Sequence, residues 1–93
     1  MDIKVKFVGA LRHASGRDAC LLNCDECSVK ELIYKLILQT PELKGNLIHE
    51  EIGDPRPNGL ILVNGREISV MNGLNTSLKD GDEVVLVPIA HGG

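Results

Sequence analysis

The sequence predicts an α+β domain, a mixed sheet of four to five strands with one main helix packed on one face, in the order ββαβββ. Three observations carry that expectation. Ile3, Val5 and Phe7 alternate with Lys4 and Lys6; Ser28 and Glu31 open an apolar run at helical spacing; and Asn64-Gly65 joins two extended apolar stretches.

Each element has a local cause. The period-two alternation of "IKVKF" gives one buried and one wet face, as a strand requires. "RHASGRD" carries Ser15-Gly16 turn chemistry, and "ACLLNC" resumes an extended pattern, so a first hairpin is expected. Ser28 with Glu31 is a capping box, in which hydroxyl and carboxylate each satisfy a backbone N–H left unpaired at a helix start. Val29, Leu32, Ile33, Leu36 and Ile37 then fall on one stripe. Thr40-Pro41 stops the helix and starts a short turn through Glu42 and Leu43. Residues 44–58, with Gly45, Gly53, Pro55 and Pro57, read as a loop. "LILV-NG-REI" predicts a hairpin from Leu60–Val63 to Arg66–Ile68 through a type I′ turn. Lys79-Asp80-Gly81-Asp82 is a turn that leads into a β-branched last strand, Val84 to Pro88. One helix stripe and one sheet face need each other, and hairpin, helix, hairpin, final strand is the order of a β-grasp.

The 93 residues make one domain with one core, too small for a deep, many-walled pocket. The expected division is a β-grasp domain over residues 1–88 and a flexible diglycine tail over 89–93. With 43% hydrophobic residues and Phe7 and Tyr34 as its aromatics, the chain must build its core from aliphatic side chains. A net charge of −3, ten scattered Lys and Arg, and so few rings argue against nucleic acid as a partner. "MDIKVKFVGA" is not a secretory signal, and no apolar run approaches the ~20 residues of a membrane span. An odd count of three cysteines suits a reducing compartment, so a cytoplasmic protein is expected, with no membrane partner.

The chain resembles the β-grasp sulfur carriers: the small subunit of molybdopterin synthase, the thiamine sulfur carrier and the ubiquitin-related modifier. The resemblance covers essentially the whole chain and rests on "LRHASG", "LVNGREI", "LKDGDEVVLVP" and the terminal Gly92-Gly93. His91 departs from the small residue usual before the glycines in the first two, and "HGG" looks more like the modifier. The resemblance implies no bound cofactor and no catalytic residue in this chain. An E1-like adenylating enzyme, consuming ATP, would activate the Gly93 carboxylate, a persulfide sulfur would replace the adenylate, and a synthase large subunit or its equivalent would take the sulfur from the resulting thiocarboxylate. Gly92 and His91 would thread the partner's channel, where a side chain on the glycines would collide with the walls. Two alternatives stand beside this one: a ubiquitin-like modifier joined to lysines of target proteins through Gly93, and a β-grasp binding module that is never activated.

Docking is expected on the sheet face turned away from the helix. If Val84 and Leu86 point inward, as the family's pattern suggests, Val85 and Val87 point outward, and with Leu60 and Leu62 they form an exposed aliphatic patch. Other constellations are weaker. Cys20, Cys24 and Cys27 have the C-x3-C-x2-C spacing of an iron–sulfur site, but a strand would hold the first two about 13 Å apart. Cys24 and Cys27 alone are half a zinc site without a completing pair. All three read as ordinary cysteines. His13, His49 and His91 are widely spaced with no nucleophile in context, and Asp80, Asp82 and Glu83 read as turn and solvated residues rather than metal ligands.

Overall fold

The computed structural model describes residues 1–43 and 59–88. Five strands form one sheet: β1 (Asp2–Phe7), β2 (Ala19–Asn23), β3 (Gly59–Val63), β4 (Arg66–Glu67) and β5 (Glu83–Pro88), in the spatial order β2-β1-β5-β3-β4. β5 is central, parallel to β1 and antiparallel to β3; β1 pairs antiparallel with β2, and β3 with β4. Among the described residues two helices accompany the sheet, α1 (Ala10–Ser15) and the longer α2 (Val29–Gln39). This is a β-grasp, a mixed sheet with one main helix.

The alternation in β1 buries Ile3, Val5 and Phe7 and leaves Asp2 and Lys4 exposed. α2 starts in the capping box: Glu31 N–H donates to Ser28 Oγ (3.3 Å), and Ser28 N–H donates to Glu31 Oε1 (3.2 Å). Its Val29, Leu32, Ile33 and Leu36 are buried against the sheet cluster of Ile3, Val5, Phe7, Ile61, Val63, Val84 and Leu86. Ile37, at the edge of the stripe, packs only in part. Thr40 N–H closes on Leu36 O, and a 3-10 turn over Pro41–Leu43 drops Leu43 into the core.

The turn after β3 has both central residues left-handed, Asn64 at φ 51° and Gly65 at φ 85°, the type I′ geometry that keeps the twist of the flanking strands. The Lys79–Asp82 turn is held by its own carboxylates: Asp82 Oδ2 accepts Lys79 N–H (2.7 Å) and Asp80 Oδ1 accepts Asp2 N–H (2.7 Å).

Two local expectations are corrected. β1 and β2 do pair antiparallel, but residues 8–18 between them contain α1 rather than a tight turn. Ser15-Gly16 ends that helix, with Gly16 N–H on Arg12 O, while Leu11 anchors it in the core. β4 stops at Glu67. Ile68 begins a 3-10 turn (Ile68–Val70) because the Glu67 carboxylate captures Ser69 N–H (2.9 Å) and the Ser69 hydroxyl, and a second 3-10 turn follows at Gly73–Asn75. The loop expected at 44–58 and the tail expected at 89–93 lie outside the described residues.

Candidate functional site

The last described stretch of β5, Val84 to Pro88, leads directly to the tail residues. Val84 and Leu86 are buried, while Val85 and Val87 sit on the opposite face and are partly exposed. On β3, Ile61 and Val63 are buried, Leu62 is partly exposed and Leu60 is 45% exposed. Register brings the four outward residues together as two directly opposed pairs, Leu60 with Val87 and Leu62 with Val85. Opposed side chains on one face of an antiparallel pair lie within contact reach, so they form one small apolar surface rather than scattered exposures.

Charges border this surface. Lys6 lies beside Val85 across the β1–β5 ladder and pairs with Glu83 at 3.3 Å, and Glu67 is opposite Leu62. The Ser69 hydroxyl and backbone N–H hold the Glu67 carboxyl below its usual pKa, so it stays anionic. A groove lined by Lys4, Lys6, Phe7, Val8, Arg12, Asp18 and Ala19 adjoins the basic edge. The arrangement suits a partner with an apolar centre and charged rim, and among the described residues no group of three or more metal-ligating side chains appears.

Gly59 is a residue that strand patterning does not single out. A Cβ there would lie 2.1 Å from the Val87 carbonyl oxygen and 2.8 Å from Pro88 Cα. Only glycine lets β3 close on β5 where β5 ends. Its place just before an apolar run was a signal only in combination with the β3–β5 register.

Gly93, Gly92 and His91, and also His49, lie outside the described residues. His13 is exposed on α1, beside a cleft lined by Arg12, Arg17 and Asp18, with Arg12 Nε on Asp18 Oδ1 at 2.8 Å. Asp82 is occupied by Lys79 N–H and the Asn64 amide. Cys20 is on β2 opposite Val5, and burial raises its pKa, offset in part by Arg17. Cys24 and Cys27 are both buried and adjacent, Sγ to Sγ 2.8 Å.

The profile of the ThiS family matches residues 5–93. The chain belongs to the ThiS family. Small archaeal modifier protein 3 of Haloferax volcanii is 30% identical over 94 residues, spanning all of both chains. A protein of Archaeoglobus fulgidus to which a sulfur-carrier role is ascribed is 32% identical over 93 residues, again spanning both completely. The solution structure of small archaeal modifier protein 1 from Methanosarcina acetivorans superposes with a TM-score of 0.83 at 31% identity, covering 99% of this chain and 96% of that one. A complex of subunits 1 and 2 of the molybdopterin-converting factor from Helicobacter pylori also contains a similar chain, 26% identical with a TM-score of 0.62 and full coverage of both. This ThiS-family chain is therefore a ubiquitin-like protein related to sulfur carriers and modifiers. Among its described residues no helix is long and apolar enough to cross a membrane.

Proposed function

We propose that this chain is a sulfur carrier whose Gly93 carboxylate is activated and thiolated by partner proteins. The observation that carries the reading is the path of β5: it forms one side of the Leu60–Leu62–Val85–Val87 surface and then continues into the five residues that end in Gly92-Gly93. A partner seated on that surface would have the terminal carboxylate within reach of its own active site.

The chemistry follows from the inertness of a carboxylate. Its oxygen attacks the α-phosphate of ATP on the activating enzyme, pyrophosphate leaves, and the acyl-adenylate is a competent electrophile. A persulfide sulfur attacks the acyl carbon and AMP leaves; a thiol then cleaves the S–S bond and the thiocarboxylate remains on Gly93. Bare Gly92 and Gly93 keep that end slender, and His91 enters the mouth of the channel. The chain acts as a cosubstrate, and the ATP belongs to the activating enzyme. The complex containing the Helicobacter pylori relative supports a second partner, a synthase-type subunit that accepts the sulfur.

The relative from Haloferax volcanii favours one further reading, a modifier in which a target lysine amine attacks the same activated carbon and forms an isopeptide. Intact mass after incubation with a cognate activating enzyme, ATP and a sulfur source separates the two. Exchange of one oxygen for sulfur supports the carrier, and a ladder of heavier conjugates supports the modifier. No change in mass, or an unaltered exchange after deletion of Gly93, overturns the proposal.

A further inference from the structure

Cys24 and Cys27 meet at the junction of β2 and α2. Their Sγ atoms are 2.8 Å apart, closer than unbonded sulfurs ordinarily approach and under 1 Å beyond the ~2.05 Å of a disulfide bond. The backbone holds them there from both sides: the Met1 ammonium donates to Cys24 O (2.7 Å), Cys24 N–H donates to Met1 O (3.0 Å), and Leu78 N–H donates to Cys27 O (3.0 Å). Cys20 takes no part, being up on β2 opposite Val5.

Both cysteines are buried, and Cys27 is the one that borders open space. Cys27, with Glu26, Ser28, Glu31, Ser77 and Leu78, lines an open cleft of about 530 Å³, room for a small reagent; Cys24 is not among the lining residues. Glu26 and Glu31 place negative charge at its rim, which disfavours anionic reagents and favours cationic ones.

We propose that Cys24 and Cys27 form a reversible dithiol–disulfide site, oxidised through Cys27 by small disulfides of cationic or neutral character. The Cys27 thiolate attacks one sulfur of the oxidant and expels one thiolate, giving a mixed disulfide. Cys24 then attacks the Cys27 sulfur and expels the second. Two electrons pass from the protein to the oxidant, one S–S bond breaks and one forms, and the two thiol protons end on the two leaving thiolates. Burial and the Cys24 thiol push the Cys27 pKa up to about 12, so the thiolate is scarce near neutrality and the exchange is slow in both directions. The site thus registers sustained rather than transient oxidation. It is independent of the Gly93 chemistry.

The test uses the full chain equilibrated with mixtures of cystamine and cysteamine, followed by acid quench, alkylation and intact mass. The expected result is loss of two hydrogen atoms and of two of the three alkylation sites, with peptide mapping joining Cys24 to Cys27 and Cys20→Ser behaving like the parent. The folded chain should oxidise at a quotient of cysteamine squared to cystamine at least about tenfold more reducing than the same chain in denaturant, a difference of about 30 mV. Equal quotients for folded and denatured chain, a bridge that includes Cys20, or cysteines that stop at mixed disulfides would each overturn the proposal. Because the measurement needs no Cys24 or Cys27 variant, a folding defect cannot obscure it.

Discussion

Replacing Gly59 with alanine should damage the fold where β5 ends. An added Cβ would sit 2.1 Å from Val87 O, against 3.4 Å at the near edge of ordinary contact, and the obstacle is backbone. The two strands must part by roughly 1 Å, or the Gly59–Pro88 and Leu60–Val87 rungs must open. Overpacking of this kind costs about 1–3 kcal/mol. At about 4–8 °C per kcal/mol for a domain of this size, the melting temperature should fall by roughly 5–20 °C. Gly65→Ala is a useful contrast. It meets open space, and its cost of about 1–2 kcal/mol comes from the left-handed φ alone. Thermal unfolding followed by circular dichroism gives both numbers, and amide exchange at Val87 locates the first. Because the strain at 59 is steric, Gly59→Val should be worse than Gly59→Ala. If Gly59→Ala melts within about 0.5 kcal/mol of the parent and leaves exchange at Val87 unchanged, the close approach is not a constraint.

Four further outcomes are expected. Leu62→Lys or Val85→Lys should weaken binding to the proposed activating enzyme by about 5–30-fold, the loss of about 1–2 kcal/mol for half-buried aliphatic surface, with melting little altered; calorimetric titration checks it, and unchanged affinity would remove the patch from the proposed interface. Ser28→Ala should lower stability by about 0.5–2 kcal/mol in urea denaturation through loss of the cap, an effect absent for Lys30→Ala on the exposed side of the same helix. Alkylation of Cys27 should accelerate with pH up to about 12 rather than levelling near the ordinary thiol value of about 8.5, because burial favours the neutral form. The sign for stability agrees. A pKa raised on folding makes a contribution that is complete below about 8.5 and is lost as pH climbs toward about 12, so the fold should weaken over that interval.

Much of the architecture is legible in the sequence because its signals are local and mutually consistent. The lysine alternation in β1, the capping box before α2 and the Asn64-Gly65 turn each specify backbone geometry within a few residues. The alternation phase of β3 and β5 is likewise readable, since Val84 with Leu86 and Ile61 with Val63 supply the β-branched and aliphatic faces that α2 covers. What stays hidden is short or long-range. α1 has six residues, one buried side chain and no side-chain cap, too little for periodicity to register, and its closing glycine reads equally as a hairpin turn. The end of β4 depends on a carboxylate reaching two residues ahead. The contact of Cys24 with Cys27 depends on Met1 and Leu78 clamping the intervening bend, and the close approach at Gly59 on a strand pairing 29 positions away in the chain.

The central place of β5 has a mechanical consequence. Anything that seizes the C-terminal end and pulls transmits load straight along a strand flanked by two ladders, β1 on one side and β3 on the other. With the N-terminal strand lying parallel at its side, tension between the two chain ends acts on the β1–β5 rungs in shear, so they must yield together rather than unzip in turn. A pull on that end is thereby shared by both ladders at once rather than borne by one rung at a time.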